Sequence, residues 1–183
     1  ADATVGYKGY AFLHFSGRND WDSRLTKDNR SFFYPAVDAS VILSDMFPSL
    51  ISNPVLSFLK VRGGWSQTGQ IALSSWYGTL PSYPAAGGFP YGSNAGFALS
   101  TQLSNPLLKP EQTKEIEAGF EMSFLKNKIH LDATVYKTNT LDQTIPATIS
   151  AATGFYSALI NAGEMEGKGI EFDLKFTPII SIS

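Results

Sequence analysis

Hydrophobic and polar side chains alternate along most of this chain with a period of two, the spacing that sends successive residues to opposite faces of a β-strand. The alternation predicts about six strands, near residues 7–19, 32–44, 57–69, 112–124, 128–142 and 163–176. Strands of ordinary globular domains have about 5–6 residues, whereas a tilted strand crossing a membrane needs about 9–11, and these stretches reach the longer figure. The expected fold is all-β.

Charge is sorted by phase within these stretches. One phase carries Ala11, Leu13 and Phe15, then Phe33, Pro35, Val37, Ala39, Val41 and Leu43, then Leu59, Val61, Gly63 and Trp65. It continues with Ile116, Ala118, Phe120, Met122 and Phe124, with Ile129, Leu131, Ala133 and Val135, and with Ile170, Phe172, Leu174 and Phe176. The other phase holds His14, Arg18, Asp38, Lys60, Arg62, Glu115, Glu117, Glu121, Lys128, His130, Asp132, Glu171, Asp173 and Lys175. An apolar face toward lipid and a charged face toward a lumen would give this pattern. A soluble antiparallel sandwich, for instance a carbohydrate-binding module, gives the same alternation.

The connections distinguish the two. Membrane barrels join their strands by short turns on one side and long loops on the other. Here Leu125, Lys126 and Asn127 make a tight link, the stretch 44–57 is marked as turn by Pro48, Asn53 and Pro54, and 20–31, 70–111 and 143–162 are long. Strands starting at 7, 57 and 128 are therefore expected to run outward and those at 32, 112 and 163 inward, with the long loops outside. The loop 70–111 interleaves turn residues with aromatics, as in Trp76-Tyr77-Gly78, Pro81-Ser82-Tyr83-Pro84 and Phe89-Pro90-Tyr91-Gly92. Because about six strands are fewer than the eight of a small membrane barrel, the whole of 1–183 is expected to be part of a larger barrel. The end, Thr177 to Ser183, follows an inward strand without an evident further one.

Composition agrees. Charged residues make up 16% of the chain, below the roughly 25% of soluble domains, and aromatics reach 13%, with thirteen Phe and eight Tyr. A formal net charge of −2 without a basic cluster leaves no electrostatic footprint for nucleic acid. No Cys is present, so disulfides and thiolate metal sites are excluded. No window is apolar for the ~18 residues a membrane helix needs, so any crossing must be made by strands.

Five segments carry a resemblance to a known family. They are Arg18-Asn19-Asp20-Trp21 with Ser23-Arg24 and Asn29-Arg30; Tyr34 to Ser40; Leu59-Lys60-Val61-Arg62-Gly63-Gly64-Trp65-Ser66-Gln67-Thr68-Gly69-Gln70; Asn105-Pro106-Leu107-Leu108-Lys109-Pro110-Glu111-Gln112-Thr113; and Asn161 to Glu171. In order and spacing they resemble the SusC/RagA family of TonB-dependent outer-membrane transporters, with Pro110 where Trp is usual and Gly167 where Asn is usual. The resemblance implies an up-and-down barrel of about 22 strands in a Gram-negative outer membrane, a plug domain and TonB box outside this segment, a SusD-like surface lipoprotein as lid, and TonB-driven uptake of a glycan or peptide.

Enzyme chemistry is not expected, nor any cofactor. His14 and His130 lack Cys and would need carboxylates such as Asp132 to hold a metal. Glu164 and Glu166 lie on one strand, unlike the carboxylate pairs of glycosidases, and are expected to be lumenal charges. Gly163 to Gly169 lacks the Lys-Ser/Thr ending of a phosphate loop. Trp65, Phe33 and Phe124 are assigned to the aromatic girdle or lipid contact, and Trp21, Trp76, Tyr77, Tyr83, Phe89 and Tyr91 to contacts with substrate or lid.

Overall fold

The computed structural model describes residues 1–52, 55–73 and 75–177. It contains β1 (Asp2–Tyr7), β2 (Ala11–Trp21), β3 (Ser31–Ile42), a single helical turn α1 (Leu43–Met46), β4 (Leu56–Gln70), β5 (Gln102–Leu103), β6 (Glu111–Phe124), β7 (Ile129–Thr148) and β8 (Ser157–Phe176). The long strands form one antiparallel meander in the order β1-β2-β3-β4-β6-β7-β8, and the short β5 adds to β8 in parallel. The outer edges of β1 and most of β8 carry no strand among the described residues. The sheet is a piece of a larger barrel.

The expected strands are present with changed limits. The stretch near 7–19 is a hairpin rather than one strand: Lys8 and Gly9 both take left-handed backbone, with φ of 48° and 74°, and the Tyr10 N–H donates to the Tyr7 carbonyl. The third strand ends at Ile42, so Leu43 begins α1 instead of extending the apolar phase. β7 and β8 run to Thr148 and from Ser157, which shrinks the loop expected over 143–162 to residues 149–156. Leu125, Lys126 and Asn127 all adopt positive φ in the tight β6–β7 turn. Asn53, Pro54 and the end from Pro178 to Ser183 lie outside the described residues.

The register joins like phase to like phase. Leu13 faces Ala39 and Phe15 faces Val37; Val37 then faces Trp65, and Val41 faces Val61. Val61 continues to Phe120 and then to Ala133 and Phe172, while Met122 continues to Leu131 and Leu174. The result is one continuous apolar face whose large side chains are open: Phe15 is 47% exposed, Ile170 64% and Phe172 73%. Among the described residues no second sheet packs on it, so the sandwich reading fails. A contiguous apolar surface of this extent needs an apolar medium against it.

The only buried hydrophobic cluster among the described residues lies off the sheet. Leu25, Leu73 and Leu108 pack with Phe32, Ile71 and Leu159, tying the long connections together at one end of the strands.

Candidate functional site

The face opposite the apolar one gathers the charges. Arg18, Asp38, Lys60, Arg62, Glu115, Glu117, Glu121, His130, Asp132, Glu171 and Asp173 all fall on that phase of the register. His14 bridges two carboxylates there, with Nδ1 2.6 Å from Asp38 and Nε2 2.8 Å from Asp2. Lys60 lies 3.9 Å from Glu121, which is also 3.7 Å from the His130 ring. Arg18 pairs with Asp20 at 2.8 Å and sits 5.3 Å from the centre of the Tyr34 ring.

Arg62 has the most developed partnership. Its guanidinium donates to both oxygens of Asp132 and to the Thr134 hydroxyl, each at 2.7 Å. To do so it reaches from β4 across β6 to β7, passing over Gly119. A Cβ at that position would stand 2.8 Å from the Ala133 carbonyl, 3.0 Å from the Thr134 hydroxyl and 3.3 Å from the Arg62 Nε, so a side chain there collides with the crossing. Asp132, the carboxylate that a metal-binding histidine would have needed, is thus engaged by Arg62, and His130 Nδ1 lies 3.1 Å from the Ser123 hydroxyl.

Glu164 and Glu166 do not join this polar face. They stand in the same phase as Ile170, Phe172 and Leu174, beyond the apolar stretch, because strand parity rather than charge fixes direction. Glu166 lies between Lys137 and Lys168, at 2.6 Å from each, and Glu164 accepts from the Asn139 amide at 3.1 Å.

At the end of the long connections, Asp22 accepts hydrogen bonds from the Arg24 backbone N–H and guanidinium, which hold its carboxyl below the usual carboxylate range. The same guanidinium donates to the Leu73 carbonyl at 2.7 Å. Asn29 donates to the Leu108 carbonyl, Thr26 to that of Pro106, and Asn105 to that of Leu159. Asn161 closes the ring, donating to the carbonyls of Lys109 and Asp142 and accepting from the Lys109 N–H. The loop expected over 70–111 is therefore anchored at both ends rather than free, a role that the sequence did not assign to Arg24, Asn29, Asn105 or Asn161. Leu25, isolated between Arg24 and Thr26, was the available signal; Leu73 and Leu108 stand beside other apolar residues.

The aromatic candidates are exposed but not gathered. Trp21, Trp76, Tyr77, Tyr83 and Tyr91 are well exposed and Phe89 is about half exposed. Trp21 borders a cleft of about 440 Å³ with Asp20, Asp22, Arg24, Tyr34 and Gln70. The other five are spread along the connection between β4 and β6, joined by Phe97, which is equally open. Phe33, Trp65 and Phe124 stand on the apolar phase.

Comparison with known proteins agrees with this architecture. A family model described as TonB dependent receptor-like, beta-barrel, matches residues 1–181. TonB-dependent receptor P26 of Formosa agariphila is 30% identical over 94% of the chain, and TonB-dependent receptor SusC of Bacteroides thetaiotaomicron is 30% identical over 91%. The chain spans 17% of the length of either relative. Among solved structures, the RagAB peptide importer in its closed-closed state superposes with a TM-score of 0.85 at 23% identity, covering 98% of this chain and 19% of that one. This last likeness concerns the fold alone.

Proposed function

The chain belongs to the TonB-dependent receptor-like β-barrel family, and on that premise we propose that it supplies wall and outer loops to an outer-membrane receptor for TonB-driven uptake of a glycan or peptide nutrient. The apolar face meets the bilayer. The charged face, from Arg18 and Asp38 through Lys60, Arg62 and the Glu115–Glu117–Glu121 series to His130, Asp132, Glu171 and Asp173, lines the lumen. The long connections face the outside, where Trp21, Trp76, Tyr77, Tyr83, Phe89 and Tyr91 meet substrate or a SusD-like surface lipoprotein. The observation that carries the reading is the register, which aligns apolar with apolar through the long strands and leaves the large side chains open.

Fractionation of cells that express the full-length receptor tests it. Recovery with the outer membrane, released only by detergent, is the expected result; recovery as a soluble periplasmic protein refutes it.

A further inference from the structure

The lysines beyond the apolar stretch occupy an unexpected face. Lys114, Lys137 and Lys168 share the phase of the lipid-facing residues, at the level where β6, β7 and β8 emerge from the apolar band toward the long connections. Three lysines stand there against Glu164 and Glu166, leaving one positive charge in excess. Glu166 takes one contact from each of Lys137 and Lys168, on separate carboxylate oxygens. An ammonium has three N–H donors, so both retain donors for another anion, and Glu166 holds them side by side.

Directly below lies an apolar groove of about 570 Å³ between Ile116, Ala118, Val135 and Ile170, with Lys137 and Lys168 at its rim. An apolar slot ending in paired cations complements a molecule with a hydrocarbon tail and an anionic head.

We propose that Lys137 and Lys168 with this groove form a site for a phosphorylated glycolipid of the outer leaflet, its phosphate on the two ammonium groups and an acyl chain between Ile116, Ala118, Val135 and Ile170. The inference rests on the outer-membrane placement given above, because the end of the strands near the long connections is the one in the outer leaflet. Lysines near an anionic membrane surface attract it electrostatically, and part of the pair's charge is already answered by Glu166, so loss of both ammonium groups weakens retention roughly tenfold.

The test uses the full-length receptor, purified in detergent from the outer-membrane fraction and mixed with lipid A, dephosphorylated lipid A or phosphatidylglycerol, with bound lipid counted by native mass spectrometry. Lipid A is expected to be retained about tenfold better by the parent protein than by Lys137→Gln/Lys168→Gln, and dephosphorylated lipid A to be lost from both. Lys175→Gln, on the polar face, leaves retention unchanged. Equal retention by the double variant, or of the dephosphorylated lipid, overturns the site; phosphatidylglycerol retained as well as lipid A overturns the assignment to the glycolipid. A receptor absent from the outer-membrane fraction instead overturns the placement itself, so the two failures are distinguishable.

Discussion

The Arg62–Asp132 bridge offers a quantitative test of how the polar face is held. Arg62 makes three charge-assisted hydrogen bonds at 2.7 Å, two of them to Asp132. A hydrogen bond to a charged group contributes about 1.5–3 kcal/mol, whereas a solvent-exposed ion pair contributes about 0–1 kcal/mol. The two side chains are 32% and 28% exposed, which places the bridge between those limits, at a coupling of about 1–1.5 kcal/mol. The measurement is a double-mutant cycle with Arg62→Met and Asp132→Asn in the full-length receptor, read as denaturant unfolding in detergent by tryptophan fluorescence. Arg18–Asp20 is the internal comparison. Its side chains are 73% and 36% exposed, and its coupling should stay below about 0.5 kcal/mol. If the two cycles give the same coupling, the crossing over Gly119 is incidental and the reasoning fails.

Three further outcomes follow from the loop cluster. Leu108, 1% exposed, should cost about 2–3 kcal/mol of local stability as Leu108→Ala, seen as faster proteolysis within 71–110 while the strands stay resistant. Asn161→Ala removes its contacts with Lys109 and Asp142 and should expose the same segment to protease by about 1–2 kcal/mol; an unchanged cleavage rate would count against the ring. Asp22 titrates below its ordinary 3.8 because of Arg24, so its stabilisation is complete above that pH and is lost as pH falls through the lowered value. Protection factors against hydrogen exchange around Arg24 and Leu73, taken relative to the intrinsic rate at each pH, should therefore be constant from about pH 8 to 5 and fall below about 4; a fall already at pH 6 would implicate another group.

The sheet was legible wherever one face met an apolar medium and the other did not. Apolar alternation from Ile129 to Val135 and from Ile170 to Phe176 covers roughly 20 Å of strand and located β7 and β8. Beyond it both faces are polar, with Lys137 and Glu166 on one and Thr138 and Gly167 on the other, so the signal vanished and the strand ends were missed. The β1–β2 hairpin was hidden because Tyr7 pairs with Ala11, which keeps odd residues on the apolar face through the turn. Parity could have placed Glu164 and Glu166 correctly, but their charge suggested the other face. The loop ring was illegible because it is built from Arg and Asn side chains bonding distant backbone carbonyls, a pairing with no local period.

Whether the alternation separates lipid from lumen can be measured strand by strand. The chain contains no Cys, so single cysteines at 170 to 175 of β8, in a receptor otherwise free of Cys, can carry a bimane probe in reconstituted bilayers containing doxyl-labelled lipid. Strong quenching at 170, 172 and 174 with weak quenching at 171, 173 and 175 is the predicted result; uniform quenching, or the opposite parity, would contradict the membrane-wall account.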